Sequence, residues 1–134
     1  MIFLDTSAIY ALADRADDNH RRATRLFADA LTSGERFLTH NYVLVESMAL
    51  LQHRLGLGSA LKLAADASAF ELEWITRAAH DQAVAWLRQA GRRQVSLVDA
   101  ASFLVMRSRR IEVAFAFDPH FVDEHFRLLT AVSP

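Results

Sequence analysis

Cysteine is absent from the sequence, which excludes disulfide scaffolds, thiolate metal sites and cysteine nucleophiles. Lysine is nearly absent: Lys62 is the only one, and it lies in a polar helical segment. Receiver-type signalling modules need a lysine at the phosphorylation site, so they have no candidate here. A phosphatase working through an aspartyl phosphate fails too, because Asp5 is followed by Thr6-Ser7 where that chemistry uses Asp-x-Asp. Long apolar runs are also missing. No uncharged stretch approaches the roughly 18 residues of a membrane span. The start, Met1-Ile2-Phe3-Leu4-Asp5, lacks the basic leader of a signal peptide. No membrane association is expected, and the expected compartment is the cytoplasm. Charge of one sign is lacking as well. The net charge is −1, so any contact with nucleic acid has to come from local patches.

What is present suits one domain spanning residues 1–134, with 52% hydrophobic and 23% charged residues. Residues 1–4 are apolar on both faces, as in a strand buried inside a parallel sheet. Asp17 and Asp18 offer caps for a helix that Gly34 stops. A weak strand at 37–39 precedes a helix capped by Asn41 and ending near Gly56, and Gly58-Ser59 opens another to about Ser68. Residues 70–74 alternate strictly and place Glu71 and Glu73 on one face, as in an edge strand guarded by charge. Thr76 caps a helix that Gly91 stops, and Ser96 begins the next. Residues 113–117 form a second doubly apolar strand, Pro119 opens a short helix, and 126–129 close the pattern. Strands alternating with helices predict an α/β fold with a mostly parallel sheet.

Four acids sit in apolar surroundings. Asp5 and Asp118 end the two best strands, where ligands bind in open α/β sheets. Each also reads as a helix cap, Asp118 above all because Pro119 follows it. Glu46 lies within Val43-Leu44-Val45-Glu46-Ser47-Met48. It is therefore either on a narrow polar stripe with Gln52 and His53 or buried with a partner. Asp99, three residues after Ser96, is either half of a capping pair or a second acid in an apolar helix. If the four converge, two like charges about 5 Å apart repel by about 3 kcal/mol at an effective dielectric near 20. Such a cluster needs protons or a cation. Oxygen ligands alone select Mg²⁺ or Mn²⁺, ions suited to phosphoryl-oxygen chemistry.

At these residues the sequence resembles the PIN domain family, and in particular the VapC-type ribonuclease toxins of toxin–antitoxin pairs. The matching stretches are Phe3-Leu4-Asp5-Thr6-Ser7, Asn41-Tyr42-Val43-Leu44-Val45-Glu46, Ser96-Leu97-Val98-Asp99-Ala100 and Phe117-Asp118-Pro119-His120-Phe121. They span nearly the whole chain in the family's order. The resemblance implies a three-layer α/β/α fold, a homodimer and Mg²⁺-dependent endonucleolytic cleavage of RNA. It carries over Asp5, Glu46, Asp99 and Asp118 as catalytic, metal-binding acids, with Thr6 and Ser7 as supporting hydroxyls. It also implies a small VapB-like antitoxin partner, through which alone the chain would meet DNA. One departure is Ala116, where relatives often carry a threonine or serine. Its absence removes a hydrogen bond behind Asp118.

Of the six histidines, His120 stands nearest the expected cleft, and the others, His40 included, are expected at the surface with no zinc spacing. Arg92, Arg93 and His120 are the expected substrate contacts, made to phosphate without base readout. Trp74 and Trp86 are expected in the core. Two alternatives stand beside the toxin: a PIN nuclease of RNA maturation or decay, and a PIN-like RNA-binding module without catalysis.

Overall fold

The doubly apolar start forms β1 (Ile2–Leu4), and all three of its side chains are buried. A strand dressed this way lies inside a sheet covered on both faces. In a computed structural model describing residues 1–131, four strands join it: β2 (Phe37–His40), β3 (Glu71–Glu73), β4 (Val113–Phe115) and β5 (Arg127–Leu128). Residues 132–134 of the expected domain lie outside the described part. The order across the sheet is β3-β2-β1-β4-β5, and every pairing is parallel.

Parallel neighbours need crossovers, and helices supply them. Helices α1 (Thr6–Ala13) and α2 (His20–Thr32) join β1 to β2. Next come α3 (Asn41–Leu55), α4 (Leu57–Asp66) and a 3₁₀ turn before β3, then α5 (Arg77–Ala90) and α6 (Leu97–Ser108) before β4. The short α7 (His120–Asp123) precedes β5. No helix among the described residues is long and apolar enough to cross a membrane. The chain builds outward from β1 in one direction through β2 and β3, and in the other through β4 and β5. The crevice beyond β1 and β4 is thus the switch point of the sheet, where α/β proteins bind ligands.

A four-residue helix cannot hold itself. Phe121 anchors α7: its ring is fully buried, 6.1 Å from Phe3 and 5.3 Å from Phe103. Burying such a ring contributes roughly 1.5–3 kcal/mol. Arg92 adds pairs to Asp123 (3.2 Å) and Glu124 (3.1 Å), and Arg107 pairs with Glu124 (2.9 Å). The outer strand β3 matches its expectation. Arg36 and Arg109 cover Glu71 and Glu73, so its open edge carries charge.

Several local expectations give way to tertiary partners. Asp17 and Asp18 do not cap α2, which begins behind Asn19. His40, not Asn41, caps α3, accepting from the Val43 N–H, while Asn41 Oδ1 accepts from the Ile75 N–H at 2.6 Å. The strand expected to reach residue 117 stops at Phe115. The Phe117 N–H donates to Ser7 Oγ instead of continuing the ladder. Trp86 packs against Phe103 as expected, but Trp74 is 71% exposed. Trp74 lies just past the edge strand, where no element covers it.

Candidate active site

Asp5 follows β1 directly and caps α1. Its Oδ2 accepts from the Ser7 N–H at 3.1 Å and from Ser7 Oγ–H at 2.6 Å. The same Ser7 oxygen accepts from the Phe117 N–H at 2.9 Å. One hydroxyl at the start of α1 therefore fixes both Asp5 and the chain one residue before Asp118. Thr39 Oγ1 donates to the Leu4 carbonyl at 2.8 Å and pins the residue before Asp5. Asp5 is 4% exposed. Burial, as the largest cause, pushes its carboxyl up to about 6, with Asp99 and Asp118 pushing the same way against the lowering bonds from Ser7.

Asp99 and Ser96 form the capping box of α6: Asp99 Oδ2 accepts from the Ser96 N–H at 3.0 Å, and Ser96 Oγ accepts from the Asp99 N–H at 3.1 Å. Burial raises the Asp99 carboxyl first, and Asp118 raises it further. Asp118 Oδ1 accepts from the His120 backbone N–H at 2.9 Å. Ligand atoms of Asp99, Asp118 and His120 lie within 4.8 Å of one another.

The cap reading holds for Asp5 and Asp99, whereas α7 begins behind Pro119 and Asp118 only ties the turn before it; each of these structural roles uses one oxygen and leaves room for a site role on the other. Among the described residues no protein donor engages Asp5 Oδ1, Asp99 Oδ1 or Asp118 Oδ2. Three open oxygens on mutually repelling carboxylates fit a hard divalent cation such as Mg²⁺ or Mn²⁺, which relieves the repulsion by occupying it. Beside the first acid, Thr6 is buried and its Oγ1 has no partner among the described residues.

Glu46 does not join the three. It is exposed on α3, forms no hydrogen bond or ion pair among the described residues, and is not among the charges acting on Asp5 or Asp99. The apolar flanks suggested confinement, but α3 turns Val45 (67% exposed) and Ala49 outward beside it. Glu46→Leu is therefore expected to shift stability by less than about 0.5 kcal/mol in chelator. A larger destabilisation in urea unfolding would reveal a buried partner.

Arg92 is engaged in holding α7, whereas Arg93 is exposed. His40, expected at the surface, has no exposure at all. Its Nδ1 accepts from the Val43 N–H, which leaves the proton on Nε2 to donate to Ser102 Oγ at 2.9 Å. Ser102 Oγ–H donates in turn to the Val98 carbonyl at 2.9 Å, next to Asp99. Burial holds the imidazole down at about 4, so it stays neutral at ordinary pH. Thr39, His40 and Ser102 thus brace the site from behind. No local pattern marks them, since the bond from His40 to Ser102 spans 62 residues. Ser102→Ala strands the buried Nε2–H and is expected to cost about 1–3 kcal/mol in urea unfolding. A loss below about 0.5 kcal/mol would contradict the bond.

The PIN domain family matches residues 2–124. The curated 23S rRNA-specific endonuclease VapC20 of Mycobacterium tuberculosis is 39% identical over 123 residues, covering 90% of this chain and 92% of that protein. The crystal structure of M. tuberculosis VapC20, described as a sarcin-ricin loop cleaving toxin, superposes with a TM-score of 0.85 at 36% identity, over 94% of this chain and 96% of that one. FitAcB from Neisseria gonorrhoeae shares the fold at a TM-score of 0.60 and 12% identity, over 97% of both chains. With its parallel five-stranded sheet and its acids at the switch point, the chain belongs to the PIN domain family, among its VapC-type members.

Proposed function

We propose that the chain is a metal-dependent endoribonuclease and the toxin of a VapBC-type pair. The carrying observation is the convergence of Asp5, Asp99 and Asp118, each with one oxygen free of protein donors, at the sheet's switch point. The likeness to a 23S rRNA-specific endonuclease supports RNA as substrate, and ribosomal RNA is the first to test. A bound Mg²⁺ or Mn²⁺ would supply the positive charge that polarises a phosphate oxygen and acidifies a water. The chain's own part is to hold the ligands still. Ser7 orients Asp5, the capping box orients Asp99, and the Asp118–His120 turn orients Asp118. Glu46, out of direct reach, acts through a water, and Thr6 supplies a hydroxyl beside Asp5. Arg93 contacts the RNA backbone, while Arg92 braces α7.

The toxin reading brings a partner, a homodimer and a cytoplasmic setting. A groove of about 1220 Å³, lined by Leu12, Phe27, Leu31, Phe37, Leu63 and Phe70, runs beside α2 and α4. It shares no residue with the acid cluster. A small VapB-like antitoxin would seat apolar side chains there and carry an arginine or lysine to the carboxylates, since charge-assisted pairs to carboxylate are the strong ones. DNA would be reached only through that antitoxin. Expression of the chain alone is expected to arrest growth, and co-expression with the antitoxin to restore it. A harmless wild-type chain with no small partner on purification would overturn the toxin reading and leave the nuclease.

A further inference from the structure

We propose that His120 is a nitrogen ligand of the metal centre and biases it towards Mn²⁺ over Mg²⁺, an inference that rests on the metal-dependent reading above. His120 differs from the fully buried His40. Both ring nitrogens of His40 are satisfied by protein partners. Neither nitrogen of His120 is. Its Nδ1 is buried without a hydrogen-bond partner among the described residues, and its Nε2 lies 3.7 Å from Asp118 Oδ1, beyond hydrogen-bond length. The side chain is 18% exposed.

The separations suit a shared ion. Octahedral bonds of about 2.1 Å place neighbouring ligand atoms about 3 Å apart and opposite ones about 4 Å apart. The 3.7 Å from His120 Nε2 to Asp118 Oδ1, an oxygen that keeps a lone pair beyond its bond from the His120 N–H, lies between those two separations, and Asp99 offers an oxygen within the same 4.8 Å group. The position is also a firm one. The His120 N–H is tied to Asp118, and the next residue, Phe121, is fully buried. Carboxylates accept Mg²⁺ and Mn²⁺ alike, but Mg²⁺ favours an all-oxygen shell, whereas imidazole binds transition metals more strongly. A centre that adds an imidazole to its aspartates therefore separates two ions that an all-acid centre would treat more evenly.

The test titrates chelator-stripped protein with Mn²⁺, following free Mn²⁺ by electron paramagnetic resonance, then competes it with Mg²⁺. Wild type, His120→Gln and Asp99→Asn are compared, with melting in chelator to show that each folds. If the glutamine variant is misfolded, His120→Asn takes its place. His120→Gln is expected to weaken Mn²⁺ binding about tenfold and to leave Mg²⁺ within about twofold, collapsing the preference. Equal loss of both ions, or loss of neither, would overturn the inference. The second pattern with weaker RNA binding would make His120 a phosphate contact. Wild type and Asp99→Asn binding Mn²⁺ equally weakly would instead overturn the metal centre itself.

Discussion

Asp99→Asn is expected to lower single-turnover RNA cleavage at least about a hundredfold, while the protein folds as before. Partners that merely support a metal ligand already cost about 10–100-fold when removed, so a ligand should cost at least the upper end. The fold should survive because an asparagine oxygen can still accept from the Ser96 N–H and keep the capping box of α6. What is lost is a negative charge facing Asp118 and Asp5. Asp118→Asn should behave alike, since its bond from the His120 N–H also survives the amide. Single-turnover rates of both variants on ribosomal RNA, measured with saturating Mg²⁺ or Mn²⁺, decide it. A rate within tenfold of wild type for both would remove these residues from the site.

Asp5→Asn is expected to stabilise the metal-free protein near neutral pH. In the fold the Asp5 carboxyl is pushed from 3.8 up to about 6, mainly by burial. The folded state therefore holds its proton more tightly than the unfolded state. Below the unfolded value both states are protonated and Asp5 costs nothing. As pH rises through the interval the unfolded state ionises more readily, and the full penalty is reached above about 6. That penalty is about 3 kcal/mol at 1.36 kcal/mol per pH unit. The asparagine keeps the Ser7 bonds through its oxygen but leaves an amide NH₂ where the free carboxylate oxygen stood, so a net gain of roughly 1–3 kcal/mol remains. In chelator the variant should unfold at higher urea than wild type at pH 7.5, with the difference fading near pH 4. Added Mn²⁺ should stabilise wild type and not the variant, which narrows or reverses the gap. Equal stability of the two at both pH values would mean that Asp5 is not a strained acid.

The same residues show how far the sequence could be read. The positions of Asp5 and Asp118 were legible because each follows an apolar run, and the parallel sheet sends such ends to one crevice. For Asp99 the cap and the site seemed to compete, yet the carboxylate has two oxygens and the capping box uses only one. Glu46 misled because apolar neighbours along a helix do not say which of them face inward. Val45 and Ala49 accompany it to the surface. His40 and Arg92 were misjudged for a different reason. Their partners lie 62 residues and about thirty residues away, so only the folded topology brings them together. An all-oxygen centre was the natural expectation from four acids, whereas in space His120 lies with Asp99 and Asp118, brought there by a turn two residues long.

The most direct test of a metal-dependent ribonuclease is cleavage of purified ribosomal RNA by the purified wild-type chain, with Mg²⁺ or Mn²⁺ and with excess chelator. Discrete internal cleavage is expected with the metal, none with chelator, and recovery when metal is restored in excess. Equal cleavage in chelator, retained by Asp99→Asn, would contradict the account.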